Sequence, residues 1–226
     1  RLEIYKKYAE ELVAKGLAYY CTCTPERLDQ VRKEQIAKEL PPRYDGHCRE
    51  NNCHSEASAE VPPQRDPASG GKSPANAGKY VIRLKVPREG ETVFNDLIRG
   101  EIRFKNELID DQVLLKSDGF PTYHLGVVVD DHLMEITHVV RAEEWISSVP
   151  KHILLYKAFG WSLPEFAHVP LLRNPDHSKL SKRRNPVWVS WYKEQGYFPE
   201  AILNYLGLMG WSHPDGKDIF SLDEFI

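Results

Sequence analysis

Two lysines separated by a leucine and a serine form the part of the chain best suited to chemistry. They are Lys179 and Lys182, in the run 178–184 that reads Ser-Lys-Leu-Ser-Lys-Arg-Arg. A lysine ammonium is a flexible point charge that can neutralise charge on a transferring phosphoryl group, and arginines can bind phosphate oxygens with two hydrogen bonds. The run therefore predicts a phosphate-binding loop, although basic clusters are also typical of solvated surface loops.

Composition limits the classes of protein to consider. The chain has 226 residues, enough for one large or two small domains, and 41% hydrophobic residues can support a buried core. A net charge of −3 argues against indiscriminate nucleic-acid binding, so such a partner must meet a local patch, and 171–195 supplies one with six basic and two acidic residues. No apolar run is long enough for a membrane span, and the first residues do not resemble a signal peptide. We expect a cytoplasmic protein without membrane contact.

Hydrophobic spacing predicts the elements that must position the lysine run. Helical periodicity and capping residues predict helices over 1–15, 25–39, 148–160 and 199–209, with a further helix opening at Ser221. The stretch 123–129 is expected to be a helix or a buried segment. Alternating or apolar runs predict strands at 17–23, 80–86, 91–96, 101–104, 113–116, 136–141 and 166–172, of which 136–141 is expected to be central. Strand, helix and strand before the lysines predict a parallel βαβ unit. The Pro/Gly/Ser-rich stretch 41–79 predicts an irregular excursion, disordered over 55–77.

The run Lys-Leu-Ser-Lys-Arg at 179–183 resembles the second signature of class I aminoacyl-tRNA synthetases, in the form used by glutamyl-tRNA synthetases. Further segments resemble the same family in the same order, so the likeness covers the whole chain from Arg1 to Ile226. These segments are 41–46, 119–125, 130–132, 141–145, 151–152 and 207–211.

The resemblance implies an α/β fold with four parts. Residues 1–19 would end the first half of a Rossmann-like catalytic domain, and 20–117 would form an inserted α+β domain that receives the tRNA acceptor end. Residues 118–184 would be the second half of the catalytic domain with the lysine loop, and 185–226 the start of a helical region that contacts the tRNA stem.

The implied activity is that of a glutamate–tRNA ligase. Glutamate and ATP would give an enzyme-bound glutamyl-adenylate, with Mg²⁺ bridging phosphate oxygens, and the glutamyl group would pass to the 2′-hydroxyl of the terminal adenosine of tRNA(Glu). Such chemistry needs positioning and charge neutralisation but no enzyme nucleophile. L-glutamate, ATP and tRNA(Glu) are thus the expected partners, and we expect a monomer.

By the same resemblance, Lys179, Ser181, Lys182 and Leu172 would contact ATP. The two lysines, Lys182 first, would neutralise charge in the transition state. We expect Lys182 to lie within about 15 Å of the cleft that holds Arg141, roughly the reach of two long side chains.

Arg141 would end a parallel strand, where open α/β sheets bind ligands. By the resemblance it would pair with the glutamate side-chain carboxylate. The resemblance adds Tyr123 as a hydroxyl donor and Glu144 beside the substrate. An ordinary strand-end salt bridge from Arg141 to Glu143 or Glu144 is the alternative. Two nearby histidines, at 124 and 152, are interpreted as structural.

The first signature of class I synthetases, His-x-Gly-His, is not matched. The run 124–127 reads His-Leu-Gly-Val and lies in the wrong half of the family pattern. We expect the true signature to lie upstream of Arg1 and the anticodon-binding domain beyond Ile226, so residues 1–226 alone should be inactive in ATP–pyrophosphate exchange.

The four cysteines all lie between residues 21 and 53, which favours a metal site over scattered disulfides. Cys21, Cys23 and Cys48 offer three thiolates, and zinc prefers four tetrahedral ligands. The spacing resembles the structural zinc site of some glutamyl-tRNA synthetases and of related enzymes that glutamylate a modified tRNA base. The candidates for the fourth ligand are Tyr44, Glu50, Cys53 and His54.

Two other functions remain open. One is that of the base-glutamylating enzyme, the glutamyl-queuosine tRNA(Asp) synthetase, which the lysine signature and the continuation past Trp211 disfavour. The other is a zinc-stabilised tRNA-binding module without chemistry. Glutaminyl-tRNA synthetases share the fold, but the cysteines and the run 141–145 fit glutamate better.

Overall fold

The computed structural model describes residues 1–51, 80–174, 176, 178, 180 and 188–226. These residues form two β-sheets and eight α-helices. The strands are β1 (Ala18–Cys21), β2 (Val81–Leu84), β3 (Glu91–Asp96), β4 (Gly100–Lys105), β5 (Val113–Leu115), β6 (His138–Ala142) and β7 (Glu165–Val169). The helices are α1 (Leu2–Ala14), α2 (Pro25–Ala37), α3 (His47–Glu50), α4 (Tyr123–Leu133), α5 (Val149–Phe159), α6 (Val189–Glu194), α7 (Pro199–Leu208) and α8 (Leu222–Phe225). The disorder predicted for 55–77 falls outside the described residues.

One sheet is antiparallel and the other is mixed. The first has the order β1-β2-β5. The second has the order β4-β3-β7-β6, in which the β3–β4 hairpin is antiparallel while β3 and β6 both run parallel to β7. The predicted βαβ unit is therefore confirmed as β6, α5 and β7. The predicted boundary at residue 117 does not separate the sheets, since β3 joins β7, and the four-part domain division stays a prediction.

Two of the predicted strands differ from the observed ones. The segment 136–141 was expected to be central, but β6 pairs only with β7 among the described residues, and Val140 is 65% exposed. An apolar sequence shows that a strand can be buried, not how many neighbours it has. The strand predicted over 166–172 ends at Val169, because Pro170 has no backbone N–H to donate to a ladder.

Capping and turn chemistry accounts for several boundaries. The Thr24 side chain accepts a hydrogen bond from the Arg27 amide at the start of α2, and Ser221 and Glu224 form the predicted capping box of α8. The β3–β4 hairpin turns into Gly100, whose φ of +72° suits glycine.

The main apolar core lies between the antiparallel sheet and three helices. α1 contributes Leu12, α4 contributes Leu125 and Val129, and α5 contributes Leu155, and all four side chains are fully buried. A smaller cluster between α5 and the mixed sheet fixes the position of β7 through Phe166. The core thus holds α4, α5 and β7 in a fixed relation. None of the described helices is both long and apolar enough to cross a bilayer.

Replacing Leu12 by alanine should lower the free energy of unfolding of residues 1–226 by about 2–5 kcal/mol, since the side chain is fully buried and its removal leaves a cavity. Urea denaturation measures this change. The matched control is Ile36→Ala on α2, where the side chain is 61% exposed and the expected change is within about 0.5 kcal/mol. Equal effects of the two substitutions would contradict the assignment of α1 to the core.

Candidate active site and cysteine cluster

Arg141 lies at the carboxyl end of β6, where its backbone is paired in register with His168 of β7. Ligands of open α/β sheets bind beyond the carboxyl ends of parallel strands. The chain leaves β6 directly into a short 3₁₀ helix, Glu143–Ser148, which brings the next side chains over the same edge. The strand end therefore places Arg141 where the sequence predicted a ligand.

An aromatic side chain links Arg141 to Tyr123. The Trp145 ring lies 5.8 Å from the Arg141 guanidinium carbon and 4.9 Å from the Tyr123 ring, measured to ring centroids. Tyr123 begins α4 and is half exposed, and Glu144 is exposed on the 3₁₀ helix. The structure thus brings the three residues predicted to bind glutamate to one edge of the mixed sheet.

The Arg141 guanidinium is hydrogen-bonded to a buried histidine, His168. Its Nε donates to Nε2 of His168 at 3.1 Å, and its Nη2 is buried without a hydrogen-bond partner among the described residues. His168 is fully buried and contacts Asp96 through Nδ1. A buried nitrogen of a cation left without a partner is energetically costly.

Glu143 does not provide the strand-end salt bridge considered from the sequence. Its carboxylate pairs with Arg99 at 2.5 Å and with Arg173 at 3.8 Å. Arg99 follows β3 and Arg173 follows β7, so Glu143 connects the loops at this sheet edge. Arg141 is directed instead towards His168 and Trp145.

The residues predicted to bind ATP are only partly described. Leu172 lies just beyond β7, and its carbonyl oxygen accepts a hydrogen bond from the Leu180 amide at 3.1 Å. The Asn174 amide similarly donates to the Ser178 carbonyl oxygen at 2.8 Å. These two hydrogen bonds hold Leu172 next to Leu180 and Asn174 next to Ser178. Lys179, Ser181 and Lys182 lie outside the described residues. The expected distance between Lys182 and Arg141 therefore stays a prediction.

A pair of histidines lies next to Tyr123 in the protein interior. His124 Nδ1 and His152 Nε2 are 3.0 Å apart. Burial lowers the pKa of His124 to about 4, helped by the charges of Lys151 and Arg141, and lowers that of His152 to about 3, helped first by Arg141. Both imidazoles are neutral at physiological pH, which agrees with their structural interpretation.

Three of the four cysteines form one cluster. The sulfur atoms of Cys21, Cys23 and Cys48 lie within 4.8 Å of one another, and the hydroxyl oxygen of Tyr44 lies 3.4 Å and 3.5 Å from the first two. Zinc–sulfur bonds of about 2.3 Å in a tetrahedron put sulfurs about 3.8 Å apart. The three thiols are therefore compatible with a zinc site, and the Tyr44 hydroxyl is the predicted fourth ligand that lies beside them.

Of the other candidates for the fourth ligand, one is described by the structure and two are not. The Glu50 carboxylate is not part of the cluster that the described residues form, and Cys53 and His54 lie outside the described residues. Burial raises the pKa of Cys23 to about 12, and burial also raises the pKa of Tyr44. Zinc binding at this cluster would therefore have to displace the protons of Cys23 and Tyr44.

Buried polar contacts connect α3, which carries Cys48, to the antiparallel sheet. The Asp111 carboxylate accepts hydrogen bonds from Tyr19, from Arg49 and from the Val86 amide at 2.8–3.1 Å. The Tyr44 hydroxyl oxygen accepts a further bond from the Cys48 amide at 2.9 Å. These hydrogen bonds hold Tyr44 and the helix that carries Cys48 in place beside the antiparallel sheet.

The α/β fold and the residues at its strand edge define the class of protein. Residues 1–226 match the family described as tRNA synthetases class I (E and Q), catalytic domain, and the chain belongs to this family. The expectations of a class I synthetase and of an α/β catalytic domain are thereby confirmed.

Curated relatives narrow the class further. Two proteins named glutamate–tRNA ligase, from Fusobacterium nucleatum and a Psychrobacter species, are 58% and 55% identical to this chain over its whole length. The chain spans 41% and 42% of those relatives.

Solved structures give the same likeness. The crystal structure of a glutamate tRNA ligase from Elizabethkingia meningosepticum, in complex with its amino acid, matches all of this chain and 47% of its own, with a TM-score of 0.76 and 38% identity. That of the synthetase from Elizabethkingia anophelis matches all of this chain and 48% of its own, with a TM-score of 0.75 and 37% identity.

The cysteine cluster should bind about one zinc ion per chain, and Cys48→Ser should abolish most of this binding because it removes one of three thiolates. Tyr44→Phe should weaken zinc affinity, whereas Cys53→Ser and Glu50→Gln should not. Metal analysis after dialysis against a weak chelator measures the zinc content. Loss of zinc in Cys53→Ser with retention in Tyr44→Phe would reject Tyr44 as the fourth ligand.

Stability should fall as the pH falls below about 6.5, because the unfolded chain protonates His124 and His152 near their ordinary pKa while the folded chain does so only near 4 and 3. The decrease should be largest between pH 6.5 and 4. Urea denaturation across this range measures it. The double variant His124→Gln/His152→Gln should flatten the decrease, and His138→Gln, at an exposed position, should not. An unaltered decrease in the double variant would contradict the assignment.

Proposed function

We propose that the protein containing this chain is a glutamate–tRNA ligase. The observation that carries the proposal is Arg141, whose guanidinium reaches a strand-end site beside Tyr123 and Trp145 with one buried nitrogen free of hydrogen-bond partners among the described residues. A guanidinium binds a carboxylate with two parallel hydrogen bonds. A dicarboxylic amino acid can be held there by its side chain and keep its α-carboxylate for reaction.

In the first step, an oxygen of the glutamate α-carboxylate attacks the α-phosphorus of ATP. The bond to the β-phosphate oxygen breaks, and pyrophosphate leaves with its electron pair, which gives glutamyl-adenylate. Positioning and charge neutralisation provide the acceleration. In our proposal Lys179 and Lys182 neutralise the phosphates, while Ser181 and the backbone near Leu172 hold the nucleotide.

Magnesium would enter this step with the nucleotide. Mg²⁺ neutralises and orients phosphate oxygens when it is bound, and it usually keeps several waters together with one or two carboxylates. In the described part of the chain, the one group of three side chains that could hold a metal is the cysteine cluster, which suits zinc instead. We therefore propose that Mg²⁺ is held mainly by the phosphates of ATP and not by a dedicated set of protein side chains.

In the second step, the 2′-hydroxyl of the terminal adenosine of tRNA(Glu) attacks the carbonyl carbon of the adenylate, and AMP leaves. We assign acceptor binding to residues 20–117 and stem contacts to 185–226.

The base-glutamylating reaction on tRNA(Asp) is the second candidate, favoured by Tyr44 beside the thiols. It shares the first step and differs only in the acceptor. We also infer a monomeric cytoplasmic protein. Cys21, Cys23 and Cys48 form no disulfide among the described residues, which supports a reducing compartment.

Full-length protein containing residues 1–226 should catalyse glutamate-dependent ATP–pyrophosphate exchange. Arg141→Gln should raise KM for glutamate about 10- to 100-fold, since a charged hydrogen bond is lost. Lys182→Ala should lower kcat by roughly 10²–10³ with a smaller effect on KM for glutamate. Steady-state exchange kinetics measure both, with Arg103→Gln, an exposed arginine of β4, as the control.

Charging assays identify the acceptor. Transfer of labelled glutamate to the 3′ end of tRNA(Glu) supports the ligase, and transfer to a base of tRNA(Asp) supports the second candidate. Salt-dependent tRNA binding without any exchange would instead indicate a binding module and would contradict the proposal.

A further inference from the structure

Three polar side chains form a row across the mixed sheet, behind the proposed glutamate site. Asp96 ends β3, His168 lies in β7 and Arg141 lies in β6, and these strands are adjacent and parallel. The Asp96 and His168 side chains have no solvent exposure. A buried carboxylate and imidazole in one row are unusual in a core, and buried polar groups need a complete set of hydrogen bonds.

The contacts fix where the imidazole carries its proton. The Nε of an arginine is always a donor, so Nε2 of His168 must accept the 3.1 Å bond from Arg141 and carries no hydrogen. Nδ1 then carries the hydrogen and donates to Oδ2 of Asp96 at 2.6 Å. His168 is therefore a neutral imidazole in one tautomer, oriented at both ends.

Asp96 is itself held by the backbone. Its Oδ1 accepts hydrogen bonds from the amides of Ile98 and Arg99 at 3.0 Å and of His168 at 3.3 Å. Burial alone would raise the pKa of Asp96, but the bonds from His168 and these amides lower it below its usual value. The carboxylate is thus ionised and immobile, with Oδ2 directed at the imidazole.

We propose that Asp96 and His168 are positioning residues which fix the tautomer of the imidazole, and through it the orientation of the Arg141 guanidinium towards the substrate carboxylate. The proposal rests on the proposed function, since it takes the ligand of Arg141 to be a carboxylate. A flexible arginine loses rotamer freedom when it binds, and a side chain held in advance loses less. A buried aspartate that selects a histidine tautomer is an established device in enzymes.

The substitution Asp96→Asn tests the tautomer directly. Asparagine has nearly the same shape, and its Oδ1 can still accept from the three backbone amides. Its Nδ2 is a donor, however, so Nδ1 of His168 must accept and the imidazole hydrogen moves to Nε2. Two donors, Nε2 of His168 and Nε of Arg141, then face each other and the guanidinium is displaced.

In full-length protein, Asp96→Asn should raise KM for glutamate in ATP–pyrophosphate exchange at least about tenfold, equivalent to about 1.4 kcal/mol. KM for ATP should be nearly unchanged. The nitrogen NMR resonances of ¹⁵N-histidine-labelled protein should show His168 protonated at Nδ1 in the wild type and at Nε2 in the variant. A purely structural role would not move the tautomer and KM for glutamate together.

Asp111→Asn is the matched control. Asp111 is also buried and accepts bonds from a backbone amide, a tyrosine and an arginine, but it lies beside the antiparallel sheet. It should lower stability without changing KM for glutamate. If Asp96→Asn does not fold, His168→Gln and His168→Leu replace it. Gln can still accept from Arg141, so KM for glutamate should be closer to wild type in His168→Gln than in His168→Leu.

The outcomes separate the two proposals. Wild-type protein without glutamate-dependent exchange contradicts the proposed function and with it the positioning role. Glutamate-dependent exchange in the wild type, combined with an unchanged KM for glutamate or an unchanged tautomer in Asp96→Asn, overturns the positioning role alone. Equal KM values for His168→Gln and His168→Leu do the same.

Discussion

The half-buried cation at the end of β6 is the constraint around which the mixed sheet is arranged. A guanidinium placed among Trp145, His168 and neutral histidines has lost part of its hydration, and this loss has to be offset by hydrogen bonds or by a ligand. The protein supplies one acceptor through His168. Arg141 Nη2 is buried without an acceptor among the described residues.

Other features serve the same site electrostatically. Glu143 is occupied by Arg99 and Arg173, so it stabilises the loops at the sheet edge and does not neutralise Arg141. The pair of His124 and His152 has pKa values far below 7, so it adds no positive charge beside the guanidinium. The two histidines therefore leave Arg141 as a cation at this strand edge, which favours an anionic ligand.

Local patterns in the sequence were sufficient to predict most elements, and the spacing of Cys21, Cys23 and Cys48 indicated the cluster of three thiols. Helices α1, α2 and α5, the β3–β4 hairpin and the βαβ unit follow from periodicity, caps and Gly100. The four residues that surround the proposed zinc site come from short segments with a known spacing, so Tyr44 was already among the candidates. β6 was expected to be central, but among the described residues it pairs only with β7, and the order of strands depends on contacts between distant segments.

Asp96 and His168 were missed for a related reason. Each looks like an ordinary residue in a strand, and they are 72 residues apart, so only the strand register brings them together. A signal was present, since a histidine in the middle of an otherwise apolar strand and an aspartate just before a tight turn both call for a buried partner. Without the pairing of β3 with β7, no pattern in the sequence says which partner that is.

The attachment of β3 to β7 restricts which amino acids can occupy position 96. The two strands share one registered pair, Asp96 with Phe166, together with the bond from the Leu97 amide to the Phe166 carbonyl oxygen. After this pair, the His168 amide donates its hydrogen bond to the Asp96 carboxylate and not to a backbone carbonyl of β3. Glutamate is one methylene too long for this place and serine too short to span both partners. Sequence drift at this site is therefore limited by the geometry of the sheet itself, independently of any selection for catalysis.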